Sequence, residues 1–173
     1  FWGYQAHGMT PDLLTFAKGV GNGLALGGVV AGADLMDSLP GNSLSTFGGN
    51  PMSSVGALAT IRYMLKHDIQ GHALAMGERL AGHLQPAVDA SSVVAELRGK
   101  GLMLAIETVQ AGSLEPNTDA ASRIMEEARA AGLLIGKGGL YGNVLRIAPP
   151  MTVTEAEIDE AADVLVRIIE RLG

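Results

Sequence analysis

Three side chains in this sequence have the type and the setting for chemistry. Lys18 closes the apolar run Leu13-Leu14-Thr15-Phe16-Ala17, and Gly19, Gly21 and Gly23 follow within five residues. A lysine held against apolar surroundings is biased toward its neutral form, because burial disfavours the charge. The neutral amine is the nucleophile that condenses with an aldehyde to give a Schiff base. Ala17 and Gly19 leave room beside it for a flat ring. The same spacing also describes a surface lysine at a strand end. Thr46 lies in Ser45-Thr46-Phe47-Gly48-Gly49-Asn50-Pro51, with two hydroxyls, two glycines and a helix start just beyond. Backbone N–H groups and the helix dipole favour a phosphate there, while an ordinary Ser/Thr-rich turn fits equally. Arg146 is the lone charge in Val144-Leu145-Arg146-Ile147-Ala148. Strand alternation puts it opposite Leu145 and Ile147. Its planar fork matches a carboxylate in two parallel hydrogen bonds, or an acidic partner on a neighbouring strand.

The elements that must hold these residues can be read from punctuation and period. Leu13–Ala17 and Gly27–Ala31 read as strands, the second as a buried one. Asn50-Pro51 is an N-cap and N1 pair opening a helix with Val55, Leu58, Ile61 and Leu65 on one face. Leu80, Leu84 and Val88 sit at helical spacing. Val93–Leu97 and Leu102–Val109 read as strands joined by a turn at Arg98-Gly99-Lys100-Gly101. Asn117 or Thr118 caps a helix through Ile124 and Ala128 that Gly132 ends. Leu133–Ile135 and Val144–Ala148 are two further strands. Thr154 and Glu157 form a capping box, followed by the stripe Ile158, Ala161, Leu165, Ile168, Leu172. The texture changes near residue 68, from dense glycine loops to clean helices alternating with short strands. The later region reads as an antiparallel sheet covered by helices, an α+β lobe.

Composition bounds the class. The chain has 173 residues, 47% apolar but only 4% aromatic, so its core is aliphatic. Twenty-four glycines are about twice the usual share of roughly 7%. Charged residues at 17% and a mean hydropathy of +0.25 argue against disorder. A net charge of −6 argues against a general nucleic-acid binder. The absence of cysteine removes disulfides, thiolate nucleophiles and Cys-ligated metals, and makes the cytoplasm the default compartment. The uncharged stretch Gly19–Ala33 is too short and glycine-rich to span a membrane. The four histidines lack metal spacing. The eight methionines read as core filler, Gly136-Lys137-Gly138-Gly139 as a strand-to-strand turn, and Asp119, Glu126 and Glu127 as solvated helix charge.

Four segments, in order, resemble the class III pyridoxal-phosphate aminotransferases. Thr10-Pro11-Asp12-Leu13-Leu14-Thr15-Phe16-Ala17-Lys18-Gly19-Val20-Gly21-Asn22-Gly23 resembles that family's cofactor-lysine segment, and Ser45–Pro51 its phosphate-contact segment. Arg98-Gly99-Lys100-Gly101-Leu102-Met103 resembles its small-domain hairpin, and Arg146-Ile147-Ala148-Pro149-Pro150 its carboxylate-binding strand. Phe1–His7 and Gly132–Gly136 are most similar to the alanine–glyoxylate and beta-amino acid–pyruvate branch. The resemblance implies fold type I: residues 1–68 are the end of the large α/β domain and residues 69–173 a small C-terminal α+β domain. It implies that Lys18 forms the internal aldimine with pyridoxal 5'-phosphate and moves the proton between Cα and C4′. It implies that Thr46 binds cofactor phosphate across a homodimer interface and that Arg146 holds the substrate carboxylate. The substrates are then an amino acid and a 2-oxo acid such as pyruvate or glyoxylate, with no metal, nucleic acid or membrane involved. The start at Phe1 and the lack of the family's first half imply a fragment inactive on its own. A same-fold decarboxylase or aminomutase, or a non-catalytic dimerisation module, stays open.

Overall fold

The computed structural model describes all residues from Phe1 to Gly173, in two compact units, Phe1–Asp68 and Ile69–Gly173. In the first unit, β1 (Leu13–Ala17) pairs antiparallel with β2 (Gly27–Ala31), Leu13 opposite Ala31 and Ala17 opposite Gly27. The Phe16 ring lies across the ribbon on Gly28, where a Cβ would sit 2.5 Å from the ring edge. Trp2 packs on the same ring with centroids 6.0 Å apart. The glycine-rich turn after β1 returns the chain to β2. A short helix α1 (Ala33–Met36) and a long one, α2 (Pro51–Lys66), follow. Asn50 caps α2 as its sequence predicts, its side-chain oxygen accepting from the Ser53 N–H at 3.0 Å, with Pro51 at the first helical position.

Two expectations for this unit fail. The strand β2 is not buried: Val29 and Val30 are 49% and 58% exposed. A two-stranded ribbon has two faces, and this chain leaves about half of each of these side chains uncovered. The apolar stripe of α2 also faces out, with Val55 65% and Leu65 61% exposed. The helix instead buries Ser53 and Ala57, with Gly56 half-buried beside them. The reason is close approach: a Cβ on Gly56 would lie 2.3 Å from the Leu24 side chain, so only the small-residue side of α2 fits against the turn.

The second unit contains the core. Its helices are α3 (Ile69–Ala90), α4 (Thr118–Ala130) and α5 (Glu155–Leu172). Its strands are β3 (Val94–Lys100), β4 (Met103–Thr108), β5 (Gly136–Gly138) and β6 (Val144–Ile147). They form one antiparallel sheet in the order β3-β4-β6-β5. Leu104, Ile106, Leu145 and Ile147 project from one face into the helices, where Leu80, Leu84, Ile124, Leu165 and Ile168 are buried with them. The caps follow the sequence. Asn117 accepts from the Ala120 N–H, and Thr154 and Glu157 bond reciprocally. At the end of α4, Gly132 takes φ 87° while Leu133 and Gly132 donate to the carbonyls of Ala128 and Arg129, a Schellman closure.

The hairpin and the edge strand are displaced from expectation. Arg98, Gly99 and Lys100 belong to β3, and the turn shrinks to Gly101-Leu102. Gly101 and Gly77 explain why: a Cβ on Gly77 of α3 would sit 2.1 Å from the Gly101 carbonyl oxygen, so the turn is pressed onto the helix. Leu133–Ile135 is not a strand. Leu133 is tied to the end of α4, and Leu133 and Ile135 pack on the core while Leu134 faces out. The strand is the glycine segment Gly136–Gly138, which was expected to be a turn. Only some of the methionines fill the core: Met76 is buried and Met125 packs against it, Met64 is half-buried, and Met9, Met36, Met52, Met103 and Met151 are exposed. Glu126 and Glu127 pair with Arg129 and with Arg123 and Arg171. No helix is long and apolar enough to cross a membrane.

Candidate active site

Lys18 opens a short 3-10 turn, Lys18–Gly21, at the end of β1. Its backbone takes φ 55°, a left-handed conformation uncommon outside glycine and costly in backbone strain. Asn22 and Gly23 follow at φ 45° and 96°. The Asn22 N–H donates to the Gly19 carbonyl at 3.1 Å, and the Leu24 N–H to Gly21 at 3.0 Å. The glycine run is thus a compact knot whose buried member, Gly21, packs on Leu26. The lysine side chain is exposed and makes no hydrogen bond or ion pair within the chain. The apolar enclosure expected for it is not built by residues 1–68. The chain supplies a strained left-handed backbone that presents an exposed, unpartnered lysine side chain.

Thr46 lies in the exposed loop that leads into α2. The Gly48 N–H donates to the Ser45 carbonyl at 3.2 Å and the Asn50 N–H to Phe47 at 3.4 Å. The N–H groups of Thr46, Phe47 and Gly49 and the Thr46 hydroxyl have no acceptor in the chain. The N-terminus of α2 offers less than its sequence suggests. Pro51 has no N–H, and the Ser53 N–H is already held by Asn50.

Arg146 stands on the open face of the sheet, as alternation requires, with Leu145 and Ile147 buried behind it. Its cross-strand neighbours are Ala105 on β4 and Gly136 on β5. It makes no ion pair, so the alternative of an acidic strand partner is not realised. One strand further, opposite Ala105, stands Arg98. Arg98 is held by both Glu96 and Glu107, and its guanidinium keeps the Glu107 carboxyl below the usual carboxylate range. Asn143, fully buried, adds a bond to Glu107 at 3.2 Å. Sequence reading placed Arg98 in a turn and so missed this row. The alternation Glu96-Leu97-Arg98 against Ala105-Ile106-Glu107 carried the signal. The face therefore holds two guanidiniums, one neutralised and one free. Lys18 and Thr46 lie in the first unit and Arg146 in the second.

Comparison with known proteins agrees with these segments. The family model described as Aminotransferase class-III matches residues 1–169. The mitochondrial alanine–glyoxylate aminotransferase 2 homolog 2 of Arabidopsis thaliana is 39% identical, over 92% of this chain and 34% of its own length. The 5-aminovalerate aminotransferase DavT of Pseudomonas putida is 34% identical, over 95% of this chain and 39% of its own. A phospholyase from Arthrobacter, solved in complex with phosphoethanolamine, superposes with a TM-score of 0.92 at 32% identity, over 99% of this chain and 42% of that one. The chain thus spans between a third and about two-fifths of the length of these relatives. Its mixed α/β architecture with antiparallel sheets is the fold of such fold type I proteins. With the family model matched from Phe1 almost to the last helical turn, this chain belongs to the class III aminotransferases.

Proposed function

We propose that the chain is part of a pyridoxal-phosphate-dependent transaminase that moves an amino group from a carboxylate-bearing amino acid to a 2-oxo acid such as pyruvate or glyoxylate. The observation that carries this is Lys18: a free amine on a backbone held at φ 55°, inside a segment matched by the family model. The residues present fit the cofactor. An aldehyde needs an unpaired amine, and Lys18 has one. A phosphate needs hydrogen-bond donors, and the Thr46 hydroxyl and the N–H groups of Thr46, Phe47 and Gly49 are left without an acceptor in the chain.

Bound pyridoxal phosphate supplies an aldehyde that condenses with amines and a ring that draws electrons from the substrate Cα. Lys18 would hold the cofactor through Nζ, and its amine would accept and return the Cα proton. Thr46 acts across a homodimer interface, on phosphate in the partner subunit. Arg146 fixes the substrate carboxylate through its two-pronged fork, and the neutralised Arg98 leaves it the one free guanidinium on that face. Residues 1–68 serve as the cofactor-holding portion and residues 69–173 as the small domain bearing Arg146.

Incubation with pyridoxal phosphate followed by borohydride should attach the cofactor covalently to the peptide containing Lys18, as located by mass spectrometry. Label spread over other lysines, or label that survives Lys18→Ala, would contradict the assignment. A lyase reading draws support from the Arthrobacter phospholyase, so assays of amino donors should also follow release of phosphate from phosphoethanolamine.

A further inference from the structure

The edge strand β5 has glycine at both positions that face the same side of the sheet as Arg146. Gly136 lies directly opposite Arg146, and Gly138 follows two residues on. Glycine weakens a strand, and where it persists it often marks the close approach of a ligand. At Gly136 the geometry shows what approaches. A Cβ there would meet Arg146 Nη2 at 3.7 Å and Nε at 3.8 Å, while one at Gly138 would meet nothing within 4 Å. The Arg146 side chain therefore leans over β5, away from Ala105 and the Arg98 pair. An alanine at 136 would just touch the guanidinium. A branched side chain would extend about one further C–C bond, near 1.5 Å, into the place the guanidinium occupies.

We propose that Gly136 is a positioning residue for Arg146, and that the bare glycine face of β5 is the floor on which a substrate carboxylate meets the fork. Gly136 lets the guanidinium lie down over the strand, and Gly138 leaves the adjoining surface open for the carboxylate oxygens. The size of residue 136 then decides whether the fork is presented for two-pronged binding or pushed toward Ala105. This rests on the reading of Arg146 as the carboxylate receptor.

The test is binding of acetate to the 173-residue chain, with chloride at matched ionic strength as the reference. It is followed by the Arg146 Nε–H resonance, identified by its loss in Arg146→Lys. Wild type and Gly136→Ala should show a saturable shift. Gly136→Val should bind about tenfold more weakly, the loss of one charge-assisted hydrogen bond. Its melting temperature should be equal or higher, because valine favours a strand. A merely structural role for Gly136 would move stability with binding. Acetate binding by Gly136→Val equal to wild type overturns the inference and leaves Arg146 as receptor. No response in wild type removes the receptor reading itself. Should Gly136→Val not fold, Gly136→Ser, whose hydroxyl reaches the same space, decides in its place.

Discussion

At the scale of single residues, charge is distributed unevenly between those that stabilise and those left free. Asp159 on α5 accepts from Arg79 Nε at 2.6 Å and Nη2 at 2.7 Å, and His83 lies 3.2 Å from the same carboxylate. The Arg79 hydrogen bonds lower the Asp159 carboxyl below its ordinary value. Its folded pKa is thus below its unfolded one, so its contribution is present above the unfolded value of about 3.9 and is lost as pH falls through the folded value. Thermal melts should show the second unit losing stability below about pH 4, and Asp159→Asn should flatten that acid limb while lowering the neutral plateau slightly. An unchanged acid limb in the variant would remove Asp159 from the account. Lys18 and Arg146 have no such carboxylate partner. Residue type and spacing singled out both as candidates and left each with a second reading, a surface lysine and a strand-paired arginine. They did not reveal that Lys18 is exposed, because enclosure depends on what surrounds a side chain and not on its neighbours in sequence.

At the scale of elements, backbone approach decides what apolar period cannot. Two glycines of α3 illustrate this with opposite signs. Gly82 is exposed, and a Cβ there would meet nothing within 4 Å. Gly82→Ala should stabilise the second unit by about 0.5–1 kcal/mol through lost chain entropy in the unfolded state. Gly77 is buried against the Gly101 carbonyl. Gly77→Ala should cost about 1–3 kcal/mol, the price of overpacking, despite the same gain in helix propensity. Denaturant midpoints measure both, and equal effects would disprove the contact. The helices and their caps were legible because Asn50, Asn117, Thr154 and Gly132 act within a turn of their own chain. The hairpin turn and β5 were not, because their bounds depend on α3 pressing Gly101 and on α4 holding Leu133. The burial of α2 was misread for the same reason. Gly56 against Leu24 selects the small-residue side over the apolar stripe, and a sequence shows the stripe but not the neighbour.

At the scale of the whole molecule, the two units differ in what holds them. Of the buried apolar residues, only Ala57 belongs to Phe1–Asp68; the others form the core of Ile69–Gly173. The first unit stands on one ribbon, the Trp2–Phe16 contact and the seat of α2 on the glycine turn, with Val29, Val30, Leu44 and Phe47 exposed. Local opening is easiest where few apolar contacts guard the backbone. Amides of β1 and β2 should therefore exchange with solvent at least about a hundredfold faster than those of β4 and β6, a gap of about 2.7 kcal/mol in opening free energy. Hydrogen exchange read by mass spectrometry separates the two segments directly. Equal protection would mean that the ribbon opens only with the core, and that surfaces left bare in this chain are covered in solution. A second copy of the chain is one cover, and repeating the exchange over a range of protein concentrations detects it. Protection of β1 and β2 that rises with concentration while that of β4 and β6 stays fixed would locate association on the unit that carries Lys18 and Thr46.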